Sequence, residues 1–230
     1  MNPTLKRTLT GIAVGLAAVS AILFAPPPAI APAVGLLVLA ASVEYFLLLK
    51  KKLSISSFAF ILSLLAGVAI IACSLSALPI IAGKYGEEMR GCFNLGNLML
   101  LYVIAVIKFS DVGGFAFGVA SAKLMKGGNH KLCPTISPNK SIEGLIGSIL
   151  FSSLMSLAFT GITGFAPLKS LAIGVGAALI GTTGDLIESK FKRWVGVKDS
   201  SAMKITNGMG GFLDMLDSLL IAPASLLFFL

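Results

Sequence analysis

The sequence predicts an all-α, polytopic integral membrane protein of about seven transmembrane helices, within a range of six to nine. Three observations carry this prediction. Hydrophobic residues make up 56% of the 230-residue chain and charged residues only 12%, with a mean hydropathy of +0.95; too few charges remain to cover a water-exposed surface. The apolar residues gather into runs close to the roughly 20 residues needed to cross the hydrocarbon core of a bilayer. The basic residues fall in short groups between those runs, as in chains that mark their cytoplasmic loops with Lys and Arg. A net charge of +8 would suggest nucleic acid binding in a soluble protein. Its distribution here argues against nucleic acid and for contact with anionic membrane lipid.

The runs lie at Leu9–Phe24, Ile30–Leu49, Phe58–Ala82, Leu95–Val119, Ile142–Phe159, Leu168–Ile187 and Phe212–Leu230. The first and fifth are short, and the third could break near Ala77–Pro79. Lys6-Arg7 ahead of the first run resembles a signal peptide start, but in a multi-spanning chain an uncleaved first helix is the expectation. With seven spans and a cytoplasmic N-terminus, fourteen basic residues fall on the cytoplasmic side, among them Lys50–Lys52, Lys140 and Lys190–Arg193, against Lys84, Arg90 and Lys169 on the other. A bacterial-type plasma membrane is the expected location. Cys73, Cys92 and Cys133 have no zinc spacing and read as small apolar fillers.

Only ten acidic residues exist, so their placement is informative. Asp111 lies inside the fourth run, Glu143 opens the fifth, Asp185 and Glu188 close the sixth, and Asp214 and Asp217 open the seventh. Residues three apart share a helix face, so Asp185 pairs with Glu188 and Asp214 with Asp217. Ionised groups at membrane depth are costly and face one another, a cavity or an ion, and gathered carboxylates repel unless a cation holds them. A hard divalent cation such as magnesium uses one or two carboxylates together with substrate phosphates, and the nearby lysines and arginine suit phosphate oxygens. Acid on the helix ends and base in the loops therefore points to a phosphorylated substrate held through metal. Two glycine clusters, "NGMGGF" at Asn207–Phe212 and "DVGGFAFG" at Asp111–Gly118, permit a tight turn offering N–H groups to an anion, or close helix packing.

The stretch "SKFKRWVGVKDS" followed by "NGMGGFLDMLD" resembles the signature of the phosphatidate cytidylyltransferases, or CDP-diacylglycerol synthases. The match falls on Ser189, Phe191, Lys192, Arg193, Lys198, Asp199, Gly208, Gly210, Gly211, Asp214 and Asp217. "GDLIES", "SDVGGFAFG" and "HKLCPTISPNKSIEG" upstream, the last carrying His130 and Lys140, look like further blocks of that family. The resemblance covers roughly the C-terminal half. It implies transfer of the cytidylyl group of CTP to phosphatidic acid, with magnesium, giving CDP-diacylglycerol and pyrophosphate. It also implies metal-site acids at Asp185, Asp214 and Asp217, catalytic roles for these with Asp111 and Lys192, and substrate contacts from Ser189, Arg193, Lys198, Asp199, Gly208, Gly210, Gly211, Lys140 and His130. Residues 1–94 would then form an N-terminal group of transmembrane helices and 95–230 the catalytic region, with a homodimer left open. Two departures stand out. Met209 and Met215 occupy positions where the family carries His and Arg, and neither can supply their phosphate contacts. The alternatives are a CTP-dependent polyprenol or dolichol kinase, a cytidylyltransferase for another lipid phosphate, an inactive homologue, and a small ion-coupled transporter.

Overall fold

A computed structural model describes residues 15–51, 56–86, 88–125, 128–197 and 211–230. Helix α1 occupies Gly15–Phe24. Helices α2 (Pro27–Lys50) and α3 (Ser57–Lys84) form an antiparallel pair. A two-stranded hairpin, β1 (Met89–Arg90) with β2 (Phe93–Asn94), leads into α4 (Leu95–Leu124). A second hairpin, β3 (Lys131–Cys133) with β4 (Ser137–Ser141), precedes α5 (Ile142–Ala158). After the single turn α6 (Thr160–Thr163) comes α7 (Pro167–Val195), and the chain closes with α8 (Phe212–Leu216), a 3-10 turn at Asp217–Leu220, and α9 (Ala222–Leu226).

The helix starts follow local chemistry. Ser56, Asn94 and Ser141 accept N–H groups of Ala59, Gly96 and Gly144 at 3.3, 2.8 and 3.0 Å, satisfying first-turn donors that have no partner within the helix. Pro167 opens α7, where its missing N–H costs nothing, and Gly196 ends it in the left-handed region at φ 84°.

Among the described residues four helices, α2, α3, α4 and α7, are long and apolar enough to cross a membrane. The chain is thus a polytopic membrane protein, but the expected seven spans, and the range of six to nine, are not reached among the described residues. The shortfall has specific causes. Residues 9–14 of the first run lie outside the described residues. Helix α5 has only 17 residues. The seventh run does not form one helix: Ile221 leaves helical geometry at φ −132°, and Pro223 just after it has no N–H to continue a ladder. The third run, by contrast, stays helical through Pro79.

Tyr102 is fully buried at the centre, its hydroxyl 2.8 Å from Ser156 Oγ, with Met99, Val103, Val106 and Ile107 of α4 around it. Helices α4 and α5 meet through glycine: a Cβ on Gly113 would strike the Gly147 carbonyl, and one on Gly114 would lie 2.5 Å from Ser148 Oγ. Small residues that let backbones approach this closely are a usual device of membrane helix pairs, and this accounts for the glycines of the "DVGGFAFG" stretch.

The hydrogen bonds also sort the two ends of the bundle. Arg90 donates to the Gly161 carbonyl at 3.3 Å and the Tyr85 hydroxyl to that of Leu230 at 2.8 Å, while Lys169 lies 3.9 Å over the Phe165 ring. These groups share the charge-poor end. The β3–β4 hairpin and the C-terminal end of α7 stand at the other, since α4 with 30 residues separates its flanking hairpins by about 45 Å.

Candidate functional site

A cavity of about 520 Å³ opens at the charge-rich end, lined by acids Asp111, Asp185, Asp214 and Asp217 and by Lys108 and Lys140. Five elements contribute: α4, the β3–β4 hairpin, α5, α7 and the α8–3-10 segment. All four acids singled out as catalytic in the sequence therefore meet in one place, although Asp111 and Asp217 are separated by more than a hundred residues.

The charges pair closely. Lys140 on β4 reaches across to α7 and holds Asp185 Oδ2 at 2.7 Å. Lys108 contacts Asp111 Oδ2 at 3.3 Å and donates to the Met215 carbonyl at 3.1 Å and to Ser218 Oγ at 2.9 Å. Ser218 Oγ in turn lies 2.9 Å from Asp111 Oδ2, and its N–H donates to Asp217 Oδ1 at 2.6 Å. Beside the cavity, Lys192 binds Glu188 at 3.0 Å and Asp214 Oδ1 at 2.6 Å, and Asp214 Oδ2 accepts the Gly211 N–H at 3.0 Å. The Gly211 N–H is thus engaged by the chain's own carboxylate.

The remaining candidates are placed unevenly. Lys192 touches the cavity through Asp214, while Ser189 and Arg193 lie on the last turns of α7 outside the cavity lining. His130 is exposed; its Nδ1 lies 2.7 Å from Glu143 Oε1, and its backbone N–H donates to both Glu143 oxygens at 3.2 Å. Lys198, Asp199, Gly208 and Gly210, and Met209 with them, lie outside the described residues. Met215 lines the cavity. Sequence reasoning missed Lys108, Ser218 and the part played by Glu188. Lys108 had a signal: a lysine three residues before an aspartate within an apolar run is an intramembrane ion pair in waiting.

Among the described residues no three acids, histidines or cysteines stand together as a ready chelating group. The donor set nevertheless suits a hard cation: Asp185 Oδ1 is buried without a hydrogen-bond partner, in a cavity it shares with the oxygens of Asp217 and Asp111. An unmatched buried carboxylate oxygen is costly, and a divalent cation would satisfy it.

Membrane-length helices around a cavity lined by paired carboxylates and lysines define a polytopic membrane protein with a charged site at one end of its bundle. The cytidylyltransferase family profile matches residues 65–230, and the chain belongs to that family. Among its relatives, a phosphatidate cytidylyltransferase of Staphylococcus aureus is 43% identical over 121 residues, which is 52% of this chain and 44% of that protein. One of Chlamydia pneumoniae is 38% identical over 144 residues, 59% of this chain and 44% of its own length. The match thus spans under half the length of these curated relatives.

Proposed function

We propose that the protein transfers the cytidylyl group of CTP to phosphatidic acid at the cytoplasmic face of a bacterial-type plasma membrane. The observation that carries this reading is the convergence of Asp111, Asp185, Asp214 and Asp217 with Lys108 and Lys140 on one cavity. An oxygen of the lipid phosphate forms a bond to the α-phosphorus of CTP, the bond from that phosphorus to the bridging oxygen of the β-phosphate breaks, and pyrophosphate departs. The lipid phosphate is already an anionic nucleophile, so the protein's task is placement and charge neutralisation rather than proton removal. Lys140 and Lys108 supply fixed positive charge to the phosphates, and Lys192 keeps Asp214 in place. Asp185 and Asp217, with Asp214 beside them, would hold magnesium. When bound, that ion draws charge from the triphosphate oxygens and steadies the departing pyrophosphate.

Purified protein given labelled CTP and phosphatidic acid should release pyrophosphate and form CDP-diacylglycerol. Release of CDP with a phosphorylated lipid would instead make it a lipid kinase, and binding without turnover would favour an inactive homologue or a transporter. Orientation has its own probe. Cys92, between β1 and β2, and Cys133, in β3, sit at opposite ends of the bundle. In single-cysteine variants, a membrane-impermeant thiol reagent applied to intact cells should label Cys92 and leave Cys133 unlabelled until the membrane is opened; the reverse would overturn the cytoplasmic placement.

A further inference from the structure

Glu44 lies in α2, outside the residues that match the family profile, and its side chain is fully buried, 0% exposed. A carboxylate inside a membrane-length helix is costly unless its oxygens are hydrogen-bonded. Glu44 Oε2 accepts the N–H of Leu213 at 2.8 Å. Leu213 is the second residue of α8 and immediately precedes Asp214. First-turn N–H groups find no acceptor within their own helix, so this segment takes one from α2.

The neighbouring residue extends the hold. The Tyr45 hydroxyl donates to the Ser63 carbonyl at 3.0 Å, and its ring stacks on Phe191 with centroids 4.7 Å apart, next to Lys192. Two successive residues of α2 thus grip the two segments whose side chains, Asp214 and Lys192, meet at 2.6 Å. Further along, Ser74 of α3 donates to the Leu219 carbonyl at 3.0 Å, so the α8–3-10 segment is tied at both ends to the N-terminal helices.

We propose that Glu44 is a positioning residue: by accepting the Leu213 N–H it sets the depth and rotation of α8, which brings Asp214 to Lys192 and turns Asp217 into the cavity beside Asp185. Its kinetic consequence rests on the reaction proposed above; the positioning itself does not.

The test compares Glu44→Ala, which removes the acceptor, with Glu44→Gln, which keeps a carbonyl acceptor of the same reach. In the purified full chain, amide exchange at residues 213–217 should rise at least about tenfold in Glu44→Ala while α4 stays as it was, and stay within about threefold of the parent in Glu44→Gln. In the same proteins kcat should fall at least about tenfold in Glu44→Ala, with KM for CTP within about threefold, and Glu44→Gln should restore most of it. Should Glu44→Ala fail to fold, Glu44→Asp, one methylene too short to keep the bond, must show the same local rise in exchange. Unchanged exchange at 213–217, or an equal rise in α4, would overturn the proposal. If the parent makes no CDP-diacylglycerol, the reaction assignment falls, while the exchange comparison still decides whether Glu44 positions α8.

Discussion

Two pairs of acids share one spacing and end in different situations. Asp185 and Glu188 lie on α7, an unbroken helix of 29 residues; Asp214 and Asp217 straddle the junction where α8 gives way to a 3-10 turn. On the continuous helix the spacing separates the tasks. Asp185 faces the cavity and Lys140, and Glu188 faces Lys192 on the helix's own next turn. On the broken segment, Asp214 has its oxygens taken by Lys192 and the Gly211 N–H, and Asp217 turns to the cavity with Ser218. Each pair therefore holds one acid that faces the cavity without touching Lys192 and one bound to that shared lysine, Asp214 also reaching the cavity wall. In the reaction proposed above, Asp185 and Asp217 would meet the metal and the phosphates directly, and Glu188 and Lys192 would hold Asp214 beside them.

This division is sharpest in turnover. Asp185→Asn and Asp217→Asn should each lower the cytidylyl-transfer rate by about a hundredfold or more, since each removes a charged oxygen that would hold the magnesium, with membrane insertion unchanged. Glu188→Gln should cost roughly tenfold or less, and equal losses at all three positions, measured as kcat/KM, would erase the distinction. Stability should show the opposite ranking. Lys192→Met leaves the buried Glu188 and the half-buried Asp214 without their shared cation, and breaking a buried pair in this way costs about 3–5 kcal/mol; thermal unfolding in detergent should register the drop. Lys140→Met removes one partner of a less buried pair and should destabilise less. A smaller effect is expected at Gly184→Ala, where a Cβ would come 3.0 Å from the Asp217 carbonyl. Rate should fall a few-fold while α7 keeps its helix. Smallest is Ser218→Ala, which removes a hydroxyl shared by Lys108 and Asp111 and should cost about 1 kcal/mol.

The long spans were legible because hydropathy is summed over many residues, and α2, α3, α4 and α7 lie where the apolar runs fall. The acids of the site were legible for a related reason: in a chain so poor in charge, each carboxylate inside or bordering a run requires a partner. What escaped notice depends on which partner it finds. Lys140 reaches Asp185 across 45 residues, a separation no periodicity encodes. Glu44 is a solitary acid in an apolar run, and nothing in its neighbours names Leu213 as its donor. The break in the last run was hidden because Asp217, Ser218 and Pro223 are each tolerable singly; together with side-chain bonds that compete with the backbone ladder they divide it.

Where α4 and α5 touch, glycine meets backbone at Gly113 against Gly147 and at Gly144, whose Cβ would lie 3.0 Å from the Gly114 carbonyl. Main chain has no rotamers to change, and closely packed interiors are stiff. This side of the cavity is therefore an anvil. In the reaction proposed above, any yielding that admits the nucleotide would fall to the opposite side, where five residues of helix and a single 3-10 turn carry Asp214 and Asp217.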